Sequence, residues 1–234
     1  MIAATDKPED QWLHAEFKKL FPKVTRRPYD NGVVYLATKT GPPPKRKQFD
    51  CEFAFRDGER LIYAYSRPSV FSHRRIDPGA RRLISAMEIL PGQKVLDLGC
   101  GSGTVGLAAL ARAEGVEVFA VDCNPRALQC AERGAEKNAL TGLTTSLDAL
   151  GSTVAAEAFD LVLANPPYFS NFRIAELFLA IAQRALRPKG QVLVVTKTPI
   201  WFEENMPAYF PRMTLAPVKD YVIARGDHRP RRGR

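Results

Sequence analysis

Short apolar runs alternate with segments of helical periodicity along most of this chain. The runs predict five strands, at about 94–98, 116–121, 143–147, 159–164 and 191–196. The periodic segments predict four helices, at about 76–90, 103–112, 125–138 and 171–187. Two later runs, 213–216 and 221–224, predict a terminal antiparallel hairpin. Because strand–helix alternation builds right-handed βαβ units, we predict an α/β fold with a doubly wound, mostly parallel seven-stranded sheet.

The first 68 residues have a different organisation. Residues 8–21 predict a small amphipathic helix and residues 33–37 a strand. The runs 49–55 and 60–65, joined through Asp57-Gly58, give the clearest hairpin signal of the chain. We therefore predict a small basic α+β region at 1–68 that contacts RNA or substrate, the α/β domain at 69–226, and a disordered basic tail at 227–234. No sequence repeat is evident.

Length and composition indicate a globular protein. The chain has 234 residues, 45% of them hydrophobic, which is enough for one α/β domain and a small appendage. The four cysteines, Cys51, Cys100, Cys123 and Cys130, form neither a Cys-x-x-Cys pair nor a cluster with histidines. We therefore expect no metal site, no disulfide framework and a reducing, cytoplasmic location. The sequence contains neither a membrane-length apolar run nor a signal-peptide profile.

The net charge of +9 is concentrated at the two ends of the chain. Residues 1–82 carry 17 Lys and Arg against 10 Asp and Glu, and residues 225–234 carry 5 against 1. The intervening segment holds 12 against 14 and is close to neutral. Basic ends around a neutral core favour a polyanionic partner, and we predict RNA. The alternative is a solvated basic surface with a disordered tail.

The segment Asn165-Pro166-Pro167-Tyr168, which follows the predicted strand 159–164, is the strongest candidate for catalysis. Two prolines fix φ and bias the residue before them towards extended backbone, so the Asn165 amide oxygen and the Pro166 carbonyl can converge as paired acceptors. Such a corner can hold both hydrogens of an exocyclic amine while Tyr168 stacks on the attached ring. A plain strand-terminating turn is the alternative.

A glycine-rich loop follows the first predicted strand of the α/β domain. Residues 101–106 satisfy the G-x-G-x-x-G pattern, which alone would nominate a dinucleotide enzyme. Asp97, two residues before Gly99, argues against a pyrophosphate, because a carboxylate there would repel it. The same carboxylate suits the amino-acid end of S-adenosylmethionine, and Asp122 after the next strand can bind ribose hydroxyls. Asp122 by itself fits either cofactor.

Together, these motifs resemble those of the class I S-adenosylmethionine-dependent methyltransferases of the Asn-Pro-Pro-Tyr type. The resemblance covers about residues 71–226 and implies a Rossmann-like methyltransferase fold. It also implies that the segment 144–149 meets the adenine, with Asp148 facing the adenine amino group; an ordinary loop acid is the alternative. The cofactor-binding residues expected from the motifs and the resemblance are Asp97, Gly99, Cys100, Gly101, Gly103, Asp122, Cys123, Asp148, Ala149 and Asn165.

The segment 66–84 resembles the approach to the catalytic domain of bacterial ribosomal RNA guanine-N2 methyltransferases, which have a similar Val-Phe-Ser and Asp-x-Gly. By this resemblance, Phe71 and Asp77 are also cofactor-binding residues: Phe71 lies near the cofactor, and Asp77 helps to shape its pocket. The alternatives are that Phe71 is a core residue and that Asp77-Pro78 only begins a helix. This chain departs from that family in having too few residues before Ser66 for a second methyltransferase-like domain. It also has Tyr168 where those enzymes often have Phe.

The sequence therefore predicts an enzyme that methylates an exocyclic amine of an RNA base, with guanine N2 of ribosomal RNA as the first choice. The Asn-Pro-Pro-Tyr motif is shared with adenine-N6 and protein glutamine-N5 methyltransferases, so both of these remain alternatives. A dinucleotide oxidoreductase and a non-catalytic RNA-binding module are rivals from other classes. The sequence leaves the oligomeric state undetermined.

Overall fold

The computed structural model describes residues 1–41, 49–167 and 171–228. The chain forms two compact units, Met1–Gln48 and Phe49–Arg234. The predicted hairpin thus belongs to the second unit, so the boundary between the units lies well before residue 68. Specific contacts explain this. Asp57 forms a bidentate ion pair with Arg112, with both N–O distances 2.8 Å. The Asn138 side chain forms two hydrogen bonds with the main chain of Tyr63.

The first unit is a three-stranded antiparallel sheet with one helix. Strand β1 (Ile2–Thr5) and strand β2 (Val24–Tyr29) flank strand β3 (Gly32–Ala37), and helix α1 (Trp12–Leu20) lies between β1 and β2 in the chain. A small apolar core fixes this unit, with Phe17, Phe21, Val33, Tyr35 and Ala37 buried. The hydrophobic pattern did not indicate β2, because five of its six residues are exposed and no buried face repeats along it.

The second unit begins with the antiparallel hairpin β4 (Cys51–Asp57) and β5 (Arg60–Ser66). Its remaining elements follow the predicted alternation, except for a helix at Pro199–Asn205 that the pattern did not indicate. In chain order they are α2 (Pro78–Ala86), β6 (Lys94–Leu98), α3 (Thr104–Arg112), β7 (Glu117–Asp122), α4 (Pro125–Lys137), β8 (Leu143–Leu147), β9 (Phe159–Ala164), α5 (Arg173–Ala185), β10 (Leu186–Thr196), α6 (Pro199–Asn205), β11 (Met213–Val218) and β12 (Tyr221–Asp227).

The large sheet has seven strands in the order β11-β12-β10-β9-β6-β7-β8. The pairs among β10, β9, β6, β7 and β8 are parallel, and β12 is antiparallel to both β10 and β11. This confirms the predicted doubly wound, mostly parallel sheet. The strand order reverses between β6 and β9, and the carboxyl ends of strands at such a switch point form a crevice that binds ligands.

Apolar side chains cover both faces of the sheet. Val95 and Leu161 pack on one face with Leu83 of α2 and Leu107 of α3, while the other face packs against α5 and α6. Asp97 lies on the first face, two residues from Val95, at a position where the pattern of β6 calls for an apolar residue. The fold thus places one carboxylate inside its own core.

Helix α2 is shorter than its apolar pattern predicts and ends at Ala86. The next residue, Met87, is extended, with φ −75° and ψ 138°. The Arg112 guanidinium donates to the carbonyl oxygens of Ile84 and Met87, so it satisfies carbonyl groups where the helix ends. This tertiary partner ends the helix before Leu90, and no local signal in residues 87–90 shows it.

The last part of the second unit has the same topology as the first unit. There, β10, α6, β11 and β12 form strands in the spatial order β10-β12-β11, with antiparallel neighbours. In the first unit, β1, α1, β2 and β3 form strands in the order β1-β3-β2, also antiparallel. The repeat is one of connectivity, because the two segments share no evident sequence pattern.

Within the three described ranges, no helix has both the length and the apolar character needed to cross a membrane.

Candidate active site

The predicted site residues gather at the carboxyl edge of the large sheet. Asp97 is the penultimate residue of β6, Asp122 ends β7, and Asp148 and Asn165 directly follow β8 and β9. Residue pairing brings Leu98 beside Ala164 and Asp122 beside Leu147. The two sides of the switch point therefore both contribute side chains to one crevice.

The glycine loop between β6 and α3 is fixed by main-chain hydrogen bonds to β7. The N–H groups of Gly99 and Cys100 both donate to the Val121 carbonyl, at 2.8 and 3.0 Å. Gly103 precedes α3 with φ +77°, and a Cβ atom there would lie 2.6 Å from Cβ of Ala131. A side chain at this position would therefore be strained and would also push α4 away. Burial raises the pKa of the Cys100 thiol, which agrees with a packing role for that residue.

Asp97 is the most strongly perturbed acid of the site. Its side chain is 3% exposed, and Oδ2 accepts a hydrogen bond of 3.0 Å from the Gly106 N–H. Burial raises the pKa of Asp97 to about 7, the Gly106 N–H opposes this rise, and the negative charge of Asp122 adds to it. A cation placed beside Asp97 would favour the ionised carboxylate.

Asp122 is half-buried, and its carboxylate can still accept hydrogen bonds from a ligand. Oδ2 accepts from the Gly101 N–H and Oδ1 from the Asn124 N–H, both at 2.8 Å. A carboxylate offers about four acceptor positions, so each oxygen can accept one more hydrogen bond. Since these main-chain contacts fix both oxygens, Asp122 is pre-arranged to receive a pair of neighbouring hydroxyl groups. Cys123, the next residue, lies exposed at the cavity beside it.

Asp148 is held by hydrogen bonds within its own loop. Its two oxygens accept hydrogen bonds from five donors of its own loop: the N–H groups of Leu150, Gly151 and Thr153 and the hydroxyls of Ser152 and Thr153. These bonds, led by the Thr153 N–H, lower the pKa of Asp148 well below its usual range. The Asp148 carboxylate thus organises the loop that, with Ala149, lines the cavity, and the expected contact with the adenine amino group stays a prediction.

Asn165 lies at the junction of two cavities. The larger has a volume of about 550 Å³, and the smaller, of about 20 Å³, also contains Asp97. The Asn165 Nδ2 donates to Oδ2 of Asp77 at 2.8 Å. Its Oδ1 accepts no hydrogen bond from any residue in the described ranges. Pro167 lines the larger cavity, Pro166 is buried, and Tyr168 lies outside the described residues.

Phe71 lies on a constrained loop at the rim of both cavities. We define this rim loop as residues 67–76. It contains three non-glycine residues with positive φ, namely Ser69, Ser72 and Arg74. Ser66 Oγ accepts from the Arg74 N–H at 2.8 Å, and the Asn124 amide donates to the Ser69 carbonyl at 2.7 Å. The loop therefore holds Phe71 in place, 59% exposed, so Phe71 is a rim residue and not a core residue.

The cavity lining also includes residues of α5 that the motifs did not identify. Ile174, Leu177, Phe178 and Ile181 line the larger cavity, at the i, i+3, i+4, i+7 spacing of one helical face. That spacing was readable in the sequence, but the pattern of an ordinary core helix is the same. Among the described residues, the lining contains two aspartates and no lysine or arginine. Such a lining suits an apolar, cationic ligand better than a pyrophosphate.

In the portion of the chain with described coordinates, no group of three or more His, Cys, Asp or Glu side chains could hold a metal ion.

Comparison with known proteins identifies the family. The sequence model of the methyltransferase small domain family matches residues 62–225. The chain belongs to this family. The match starts within β5, so it includes the rim loop and all the site residues described above. It confirms the predicted methyltransferase resemblance, and the seven-stranded sheet agrees with it.

Several curated relatives of this chain carry the same name. "Ribosomal RNA small subunit methyltransferase C" of Vibrio vulnificus is 33% identical over 137 residues, which are 57% of this chain and 39% of the relative. The Haemophilus influenzae protein of that name is 29% identical over 183 residues, or 76% of this chain and 54% of the relative. The chain thus spans about half, or less, of the length of these relatives.

Solved structures share the fold. The T. thermophilus 16S rRNA N2 G1207 methyltransferase RsmC, solved with AdoMet and guanosine, superposes with a TM-score of 0.80 at 24% identity, over 97% of this chain and 64% of that one. TrmN from Thermus thermophilus gives a TM-score of 0.53 at 23% identity, over 64% of this chain and 48% of that one. At these identities, the likeness concerns the fold.

Proposed function

We propose that this protein is an S-adenosylmethionine-dependent N-methyltransferase that modifies the exocyclic N2 amine of guanine in ribosomal RNA. The observation that carries the proposal is the Asn165 side chain. Its nitrogen is occupied by Asp77, and its oxygen is left as an acceptor at the junction of two cavities. An acceptor without a donor at a strand end suits an amine N–H.

The cavity fits the cofactor. Its volume lies within the usual range for small-ligand sites, and its lining supplies apolar side chains for an adenine. Asp122 would hold the two ribose hydroxyls, and Asp97 would face the amino-acid end from the smaller cavity. The loop residues Gly99 and Gly101 leave room for the ligand chain, and Phe71 would cover it from the rim.

When bound, the cofactor supplies an electrophilic methyl group. Asn165 Oδ1 and the Pro166 carbonyl would accept the two N–H bonds of the target amine. Accepting both favours a more tetrahedral nitrogen, so its lone pair is freed from the ring and the developing positive charge is stabilised. Positioning supplies most of the rate enhancement, and no strong base is needed because the amine becomes acidic as it gains the methyl group. We assign the stacking of the base to Tyr168.

Ribosomal RNA as substrate is supported by the names of the relatives and by the charge distribution. Arg74 and Arg75 are exposed on the rim loop beside Phe71, so cations lie next to the mouth of the cavity. The first unit adds 10 Lys and Arg against 5 Asp and Glu, and we propose that it contacts RNA. The basic clusters at 45–47 and 229–234 lie outside the described residues. A cytoplasmic location is part of the same proposal.

The test is a transfer assay with a methyl-labelled cofactor. The acceptors are naked 16S ribosomal RNA, assembled small subunits and a peptide-release factor, and the labelled nucleosides are identified by mass spectrometry. We expect N2-methylguanosine from one of the RNA substrates with the wild-type protein, and about a hundredfold slower formation with Asn165→Ala. Label in N6-methyladenosine or in a protein glutamine would overturn the guanine proposal, and binding without transfer would indicate an RNA-binding module.

Cofactor binding is expected to strengthen as the pH rises from 6 to 7.5. Because the pKa of Asp97 is about 7 in the free protein, raising the pH through this window ionises the carboxylate that would bind the cofactor ammonium. The dissociation constant measured by calorimetry should fall several-fold. Asp97→Asn should bind weakly at every pH, with no such trend. The same trend in this variant would exclude Asp97 as its source.

A further inference from the structure

We propose that Asp77 is a positioning residue that fixes the orientation of the Asn165 amide. This inference rests on the proposed function and adds a role that the cofactor-binding expectation for Asp77 did not include. One carboxylate oxygen, Oδ2, accepts from both the Ala80 N–H and the Asn165 Nδ2, each at 2.8 Å. The first bond caps α2, and the second reaches a residue 88 positions away in the chain.

The chemistry of the partner decides which end of the amide faces the target. A carboxylate can only accept hydrogen bonds, so the NH₂ group of Asn165 must turn towards Asp77. The amide oxygen is then the end left for the substrate. With the amide reversed, its NH₂ group would meet the NH₂ group of the target base, and two donors cannot pair. A hydroxyl in place of Asp77 could donate or accept, and would leave both orientations open.

The packing around this contact depends on Gly79. A Cβ atom there would lie 2.9 Å from Oδ2 of Asp77 and 3.0 Å from Oδ1 of Asn165. It would also lie 3.3 Å from the ring of Tyr221, so the contact is enclosed on this side. Gly79 is helical and has no positive φ, so the close approach of the two side chains, and not the backbone, calls for glycine at this position.

The two bonds of Asp77 can be separated by substitution. Serine is as good an N-cap as aspartate, so Asp77→Ser should keep α2 intact. Its side chain is one bond shorter, so a hydroxyl that caps α2 should lie out of hydrogen-bond reach of Asn165 Nδ2. Asparagine keeps the reach of aspartate. The Ala80 N–H requires its amide oxygen at the position of Oδ2, so the same oxygen can also accept from Asn165. Asp77→Asn therefore serves as the conservative variant, and Ser85→Ala, an exposed change on the same helix, as the control.

The experiment measures melting temperature, cofactor affinity and turnover for these variants. We expect Asp77→Ser to melt within a few degrees of wild type and to bind S-adenosylmethionine within about threefold, while kcat falls about a hundredfold because the acceptor is displaced. Asp77→Asn should recover most of kcat, and Ser85→Ala should match wild type. In an Asn165→Ala background, single-turnover rates should show no further loss from Asp77→Ser. A loss of equal size in that background would overturn the proposal, as would a normal kcat for Asp77→Ser.

A measurement independent of turnover keeps this proposal separate from the proposed function. The side-chain amide of Asn165 gives a nitrogen-proton resonance pair that is assigned by its disappearance in Asn165→Ala. In the wild-type protein these protons should exchange slowly with solvent, and Asp77→Ser should accelerate the exchange at least tenfold, whereas Asp77→Asn should not. If the wild-type protein transferred no methyl group to RNA, the proposed function would fail, and this exchange would still decide the role of Asp77.

Discussion

Asn165→Ala is expected to lower kcat for methyl transfer by about a hundredfold or more, while the dissociation constant for S-adenosylmethionine stays within about threefold. The expected loss is large because the amide oxygen would act on charge that develops only in the transition state. Cofactor binding should survive, because Asp97 and Asp122 lie on β6 and β7, the glycine loop follows β6, and none of these groups is held by the Asn165 side chain.

The measurements are single-turnover kinetics with labelled cofactor and calorimetry on the same samples. Glu136→Ala removes an exposed side chain from α4 and is the control, with wild-type values expected for both quantities. Turnover by Asn165→Ala within a few-fold of wild type would show that the strand-end corner is only a turn, which is the alternative that the sequence left open.

Asp122→Ala is expected to weaken cofactor binding by more than about a hundredfold, since two hydrogen bonds to a charged acceptor contribute about 1.5–3 kcal/mol each. The same substitution leaves the N–H groups of Gly101 and Asn124 without their acceptors, which adds to the loss. The rate at saturating cofactor should change much less, because the target amine would contact Asn165, on the other side of the switch point.

The matched control is Asp148→Asn, which alters the acid on the neighbouring strand end. Its carboxylate serves its own loop, so we expect a lower melting temperature and a change in cofactor affinity of less than about fivefold. If Asp148→Asn weakened binding as much as Asp122→Ala, Asp148 would have to contact the adenine after all. Circular dichroism of both variants excludes general unfolding as the cause.

Hydrophobic periodicity predicted the core of the fold well, because buried strands and amphipathic helices have strong signals. The predicted strands at 94–98, 143–147 and 159–164 match the observed ones residue for residue. The failures lie where tertiary contacts decide. The end of α2 depends on Arg112, and the hairpin at 51–66 belongs to the second unit through Asp57 and Asn138, which no local pattern reveals.

The gathering of Asp97, Asp122 and Asn165 at one edge of the sheet was predictable, because the carboxyl ends of parallel strands meet there. Their functional roles stay predictions. The partners of each side chain could not be read from the sequence. Asp148 looked equivalent to Asp122 by position, and only the five donors in its loop distinguish the two. The contact between Asp77 and Asn165 likewise exists only in three dimensions.

That contact bears on how far the Asn-Pro-Pro-Tyr segment can be transplanted. The orientation of its amide depends on Asp77, which lies in another part of the chain, close to Gly79, which provides the space. A designer who grafts residues 165–168 onto a foreign α/β scaffold would transfer the acceptor without the Asp77 carboxylate that orients it. The smallest portable unit is therefore discontinuous, and it must include the first turn of α2, with Asp77, Pro78 and Gly79.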